Sequence, residues 1–260
     1  MNKTEKELAF LRDLYIETDY TERFTDIFDD NFKFSGEENI LYANAGAGNH
    51  ALALRKKLDD KIEILGVCEN QELLNIARHK ADAVQANIGF SIVYPTDKFD
   101  AVLADASLIK PAEAIDFLKK TVDSSKNQVA FFLPTASSFG EVFSLLWETF
   151  LNMNWLDKSA EVERLIKQIP TASEIEDAAK NFGLTEIEAV TKSEYFEYEN
   201  GQAFIEAPLI KDFLMPVWLD FLEDDEREQV IEKLAATIDE DCQKLSFRVS
   251  LKATLIVGGK

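Results

Sequence analysis

Ile40-Leu41-Tyr42-Ala43-Asn44-Ala45-Gly46-Ala47-Gly48-Asn49-His50-Ala51-Leu52-Ala53-Leu54 is the stretch on which the fold turns. Asn39 to Ala43 is short and continuously apolar after its first residue, as a strand covered on both faces must be. Asn44 to Gly48 is a turn with two glycines, and the spacing of Leu52, Leu54 and Leu58 then changes the period from strand to helix. Strand, glycine turn and helix in this order form the opening of a doubly wound α/β unit. There the tight bend lets a ligand approach the backbone.

Working outward, the same alternation repeats. Ile62 to Val67 is a second strand, followed by a helix over about Glu72 to Lys80. Ala83 to Ala86 is a third, weaker strand, and Phe99 to Ala104 a fourth. Pro111 suits the first position of a helix running to about Val122. Gln128 to Leu133 is a fifth strand, with a helix from about Ser138 to Phe150. Short apolar strands alternating with helices predict a mostly parallel sheet covered on both faces.

Two helices are expected before the first strand. Thr4 and Glu7 stand as a capping box ahead of Leu8, Leu11 and Tyr15, and Asp19 and Glu22 mark a second start ahead of Phe24, Ile27 and Phe28. After residue 150 the chain is more helical. Thr171 to Glu174 resembles another capping box, Gly183 ends its helix, and Leu184 to Glu199 is extended. Asn200-Gly201 reads as the loop before a helix through Leu209, Phe213 and Trp218. A helix over about Asp225 to Ile238 and a final strand over Leu245 to Val257 complete the chain.

No low-complexity linker and no internal repeat divides the sequence. One domain is expected over 1–260: a helical cover (1–37), a nucleoside-binding core (38–150), a helical cap with one strand (151–243) and the last strand (244–260).

Composition limits the function classes. Of 260 residues, 46% are hydrophobic and 29% charged, an ordinary globular mix. The longest apolar runs fall well short of the ~20 residues of a membrane span, and the polar start lacks the apolar stretch of a secretory signal. A cytoplasmic location and no membrane partner are the expectations. With 28 basic and 48 acidic residues the net charge is −20, which repels phosphate backbones, so no nucleic-acid partner is expected. Cys68 and Cys242 lie too far apart in sequence for a metal-ligand motif. His50 and His79 lack an HExxH context, so no metal is expected.

Glu69 follows the second strand about 20 residues beyond the glycine turn, where a carboxylate suits the two hydroxyls of a ribose. Asp105 ends the fourth strand, either as a ligand contact or as a loop cap. His50 is expected to pack or cap at its helix rather than act as a base. Phe204, Phe213, Trp218 and Phe221 form either ordinary core, a homodimer face, or the wall of an apolar acceptor pocket.

These stretches together resemble the class I S-adenosylmethionine-dependent methyltransferases. Ile40 to Leu54 is similar to their first signature. Gly66-Val67-Cys68-Glu69-Asn70, with Leu74 and Ala77-Arg78, is similar to their second. Tyr94 to Asp105 resembles the run through their fourth strand, and Ala253 to Lys260 their final antiparallel strand. The resemblance covers about residues 38 to 140 and the last strand.

The resemblance implies a seven-stranded, mostly parallel sheet with an antiparallel final strand, N-terminal helices and a helical cap. It implies S-adenosylmethionine as cofactor and a small-molecule acceptor. The cofactor would be held by Asn44, Ala45, Gly46, Gly48, Cys68, Glu69, Asn70, Asn87, Ile88, Ala104 and Asp105; no catalytic residue is assigned.

The chain departs from the family at four of its positions. Tyr42 replaces an acidic residue, Asn44 a glycine and Asn87 the acidic residue that commonly meets the adenine amino group. Cys68 aligns with the ribose-binding carboxylate, one place before Glu69. These replacements keep a noncatalytic binding or assembly module open as the alternative. A dehydrogenase reading lacks the full GxGxxG spacing.

Overall fold

The computed structural model describes residues 3–34, 36, 38–242 and 245–260. The parallel strands are β1 (Asn39–Ala43), β2 (Glu63–Val67), β3 (Gly89–Ser91), β4 (Phe99–Asp105) and β5 (Ser125–Pro134). Two antiparallel strands, β6 (Thr185–Tyr198) and β7 (Phe247–Gly259), complete a seven-stranded sheet in the order β3-β2-β1-β4-β5-β7-β6. The order reverses between β1 and β4, and loops leaving neighbouring strands in opposite directions open a crevice there. The mostly parallel sheet with its antiparallel last strand is as expected.

The N-terminal cover is one continuous helical run with a change of pitch: α1 (Glu5–Leu11), a π-helical segment (Arg12–Thr21) and α2 (Glu22–Asn31). The capping box predicted at Thr4 is formed, with Glu7 N–H donating to Thr4 Oγ1 and Thr4 N–H to Glu7 Oε2 at 2.8 Å.

Two expectations here need correction. No second helix start occurs at Asp19–Glu22, and Tyr15 does not belong to a buried stripe; it is 55% exposed. The wider turn of the π segment, closed by i→i+5 bonds, rotates the inward face, so that Arg12, Ile16, Glu17 and Tyr20 are buried toward the protein. Beyond it, Phe24, Ile27 and Phe28 of α2 are buried in the main core as read from their spacing, with Phe24 stacked on Phe132 of β5.

The remaining helices in the first half are α3 (Asn49–Lys57), α4 (Gln71–Ala83), α5 (Ala114–Ser124) and α6 (Gly140–Asn152), which cover the sheet between the strands. Ala83 to Ala86, expected as a strand, instead ends α4 and turns, with Gln85 at φ +53° and Val84 exposed. The third strand is Gly89–Ser91, a three-residue edge strand paired only with β2. Three residues leave no periodic signal in a sequence.

In the second half α7 (Leu156–Gln168) and α8 (Ala172–Asn181) precede β6, and α8 carries the predicted capping box at Thr171 with Gly183 after its end at φ +99°. Between β6 and β7 lie α9 (Gly201–Glu206), a second π segment (Leu209–Leu214), α10 (Met215–Trp218) and α11 (Asp224–Cys242). Asn200 caps α9 by accepting from Ala203 N–H at 2.8 Å, which bears out the loop reading of Asn200-Gly201. Residues 37, 243 and 244, at the expected segment boundaries, lie outside the described residues. No helix among the described residues is long and apolar enough to cross a membrane.

Candidate functional site

The crevice is built from three loops. The first follows β1. Asn44, Gly46 and Gly48 all have left-handed backbones, at φ +56°, +56° and +83°. Asparagine is one of the few side-chain-bearing residues that reach this region at low cost, so Asn44 can stand where the family has glycine. Its side chain also ties the loop to the next one, donating to the Asp105 carbonyl at 3.1 Å. Gly48 is required for packing as well, since a Cβ there would lie 2.9 Å from the Phe90 ring and 3.1 Å from Ala77. Ala45 is buried, and its N–H reaches the Val67 carbonyl at 2.8 Å.

The second loop follows β2. Glu69 turns toward the glycine turn, and Gly46 N–H donates to its Oε2 at 3.2 Å. The carboxylate and the turn thus converge as their spacing in sequence suggests. Cys68, directly after β2, belongs to the main core. It is 2% exposed, and burial among apolar neighbours pushes its thiol up to about 12, which makes it an inert packing group. Asn70 is the N-cap of α4, its Oδ1 accepting from Leu73 N–H at 2.9 Å.

The third loop follows β4. Ala104 is wholly buried, and Asp105 is 4% exposed with its Oδ1 accepting from Ser107 N–H at 2.7 Å. Burial pushes the Asp105 carboxyl up to about 6 against the nearby Arg12. Asp105 therefore caps its own loop while lining the crevice.

Asn87 and Ile88 are corrected. They precede Gly89 and so lie at the amino end of β3, because β3 runs parallel to β2 with Gly89 beside Leu65 and Ser91 beside Val67. The carboxyl edge of the sheet, where Glu69 sits, is two or more residues further along. The misplacement follows from the misplaced third strand.

Tyr42, at the position acidic in the family, is buried at 2% exposure and pairs its hydroxyl with His50 Nδ1 at 2.9 Å. His50 Nε2 faces Asp29 Oδ1 at 3.4 Å, and its ring meets Phe28 and Tyr42 edge-on. This arrangement supports packing for His50. Burial raises the Tyr42 hydroxyl well above its usual range, so it stays protonated as a donor.

The π segment brings residues that the sequence did not single out. Arg12 Nη2 lies 2.5 Å from Glu69 Oε1, and Glu17 Oε1 accepts the N–H of Ala47. Tyr20 donates to the Ser107 carbonyl at 2.8 Å, and Lys80 of α4 pairs with Asp13. Arg12 and Glu17 are both buried. One guanidinium thus faces the carboxylates of Glu69, Glu17 and Asp105. Burial opposes its charge, yet the three acids together hold it more firmly protonated than usual. Burial also pushes Glu17 up to about 7, against the opposing pull of Arg12 and the Ala47 N–H. Nothing in the residue pattern marks Arg12 and Glu17 as buried, because helical periodicity at α pitch does not place them on the inward face.

Two cavities adjoin the crevice. One, of about 360 Å³, lies between the N-terminal helices and α3, lined by Glu17, Thr21, Asp26, Tyr42, His50 and Asp105 among others. The second is apolar and holds only about 40 Å³, at the ends of β4 and β5, with Tyr20, Ser107, Phe139, Phe213 and Trp218 in its wall. Of the four aromatics proposed for an acceptor pocket, Phe213 and Trp218 reach this cavity. Phe204 packs between Tyr198 and Phe247 in the core, and Phe221 packs against Phe150. Among the described residues no cluster of three or more potential metal ligands occurs.

No protein-family model matches this chain, and no curated protein matches it. Solved structures do. YjhP from E. coli superimposes with a TM-score of 0.57 at 12% identity, over 98% of this chain and 99% of that one. A SAM-dependent methyltransferase from Thiobacillus denitrificans, in complex with S-adenosyl-L-homocysteine, gives 0.55 at 12% identity with both chains fully covered. The YcgJ protein from Bacillus subtilis gives 0.55 at 16% identity, over 92% and 98%. At such identities the likeness is one of architecture. Strand order, antiparallel last strand and end-to-end superposition agree: this chain has the α/β fold of the class I SAM-dependent methyltransferases.

Proposed function

We propose that the chain binds S-adenosylmethionine at the crevice between β1 and β4 and methylates a small acceptor held beside it. One observation carries the reading. The glycine turn after β1 and the carboxylate after β2 meet at the carboxyl edge of the sheet, with Gly46 N–H on Glu69 Oε2 at 3.2 Å. Gly46 would let the cofactor approach the backbone of the turn that Gly48 helps to shape, Glu69 would receive ribose hydroxyls, and Asp105 would face the methionine end. The residues present fit the cofactor, while the space before Gly46 is taken by the Glu17 carboxylate.

The cofactor supplies an electrophilic methyl group on a sulfonium. The chain's own part is orientation and exclusion of water, which accounts for the lack of an obvious nucleophile or base. The apolar cavity walled by Phe213 and Trp218 suits an apolar or aromatic acceptor. Its present 40 Å³ would have to widen, since that volume holds little more than a water or two.

Calorimetric titration with S-adenosylhomocysteine tests the reading. Binding is expected to weaken at least tenfold in Glu69→Ala, and affinity unchanged by that substitution would sink the site.

A second reading, a noncatalytic binding or assembly module, draws support from Tyr42 and from the pairing of Glu69 with Arg12. It predicts no methyl transfer from labelled S-adenosylmethionine to any acceptor in a small-molecule screen. Transfer to one of them would remove it.

A further inference from the structure

The groups that would receive a nucleoside at the crevice are already engaged by one stretch of the chain. Glu17 places its carboxylate in the space that a side chain at Gly46 would need and takes the Ala47 N–H. Arg12 takes Glu69 at 2.5 Å. Asp13 is paired with Lys80, which also reaches Asn49 at 2.6 Å on the first turn of α3. Tyr20 closes over the β4 loop through the Ser107 carbonyl. Four side chains of the π segment thus contact the loops after β1, β2 and β4 and helix α4.

We infer that the segment Arg12–Thr21 is an internal stopper of the cofactor edge, which a bound nucleoside must displace. The inference rests on the cofactor reading above and adds how access to that site is controlled.

The chemistry of the contacts supports displacement. Arg12, Asp13 and Glu17 hold the segment by hydrogen bonds and ion pairs, which a polar ligand can replace one for one. A ligand's hydroxyls can take over Glu69, and a ligand's carboxylate can take over the Ala47 N–H. By contrast Tyr20 near the end of the segment and Phe24, Ile27 and Phe28 of α2 are anchored in the apolar core, where no such exchange is available. Of the earlier described residues only Ala9 and Ile16 lie in that core and must leave it when the segment withdraws. The movable part is therefore α1 with the first turns of the π segment, pivoting before α2. Its backbone is suited to this, because π-helical turns are rare and such segments cluster at functional sites. One buried detail agrees: Arg12 Nε has no hydrogen-bond partner, so the closed arrangement leaves a donor unsatisfied.

A stopper lowers apparent affinity by the fraction of molecules in which it is withdrawn. Removing the occluding carboxylate while leaving Arg12 on Glu69 should thus tighten binding. The experiment compares S-adenosylhomocysteine affinity in the full chain, in Glu17→Ala and in Glu69→Ala, and follows amide hydrogen exchange of residues 12–21 with and without this ligand.

The expected result is affinity raised roughly tenfold or more in Glu17→Ala, with faster exchange over 12–21 when the ligand binds the unaltered chain. If Glu17→Ala binds no tighter than the unaltered chain while Glu69→Ala binds less, the cofactor site stands and the stopper is wrong. Slower exchange of 12–21 on binding overturns it too, since the segment would then be closing on the ligand. Absence of binding in the unaltered chain and in Glu17→Ala alike overturns the cofactor reading together with the stopper. Should Glu17→Ala fold poorly, Glu17→Ser shortens the side chain so that it no longer reaches Gly46 while keeping a polar group, and the same comparison applies.

Discussion

Gly48 and Glu17 sit on either side of the same turn, and each makes its own demand on stability. Gly48 combines a left-handed backbone with ring contacts that leave no space for a methyl group. Gly48→Ala is expected to cost about 1–3 kcal/mol, from backbone strain together with overpacking against Phe90. Urea denaturation checks this, and a shift in midpoint too small to resolve would mean that Phe90 gives way.

Glu17 and Asp105 carry a pH dependence whose sign can be worked out. Burial raises both carboxyls, Asp105 from 3.8 to about 6 and Glu17 from 4.5 to about 7. Between these values the folded chain binds more protons than the unfolded one, so stability falls as pH rises from about 4 to 7 and then levels. The slope is at most about 1.4 kcal/mol per pH unit for each proton held. The general acidity of the protein bends the curve in the same direction. The diagnostic measurement is therefore a difference: Glu17→Gln should flatten the curve between pH 5 and 7 relative to the unaltered chain. Parallel curves for the two would mean that Glu17 is ionised throughout.

At the scale of elements, the N-terminal run shows how a helix can keep its hydrogen bonds yet change what it buries. Its first and last parts are α-helical, while the π segment between them turns Leu14 and Tyr15 outward and Arg12 and Glu17 inward. Arg12 is the cation shared by Glu17, Glu69 and Asp105. Arg12→Ala leaves three carboxylates at one buried edge, and a loss of about 3–5 kcal/mol is expected, the range for breaking a buried ion pair from one side. Thermal unfolding monitored by circular dichroism checks it. A loss below about 1 kcal/mol would show that the acids find water or protons instead.

The two capping boxes make an internal comparison. Thr171→Ala should cost about 1 kcal/mol at α8, which is held in the body of the protein by Ile175 and Ala179. Thr4→Ala is expected to cost less, because α1 buries only Ala9 and opens at a smaller loss of core contact than α8.

For the whole molecule the dominant long-range term is the net charge of −20. Much of this charge is unpaired on the surface, so self-repulsion works against the compact state. Raising ionic strength from about 0.01 to 0.15 M shortens the screening length from about 30 to 8 Å and should raise the unfolding midpoint. A midpoint that falls with salt would mean that surface ion pairs outweigh the repulsion.

The sequence by itself determined the sheet. Six of the seven strands and the helices between the parallel ones are legible because strand and helix periods are local, and continuous apolar runs mark burial on both faces. The turn at Asn44–Gly48 and the convergence of Glu69 upon it were legible for a related reason, since both follow from where a strand ends. The three-residue β3 was not legible, and the misplacement of Asn87 and Ile88 came with it. Only the tertiary structure decided which side chains occupy the crevice. Arg12 lies 57 residues from Glu69, and Glu17 lies 30 residues from Ala47. Their meeting depends on a change of helical pitch that no residue pattern announces, and on charges that find partners only once the chain has closed on itself.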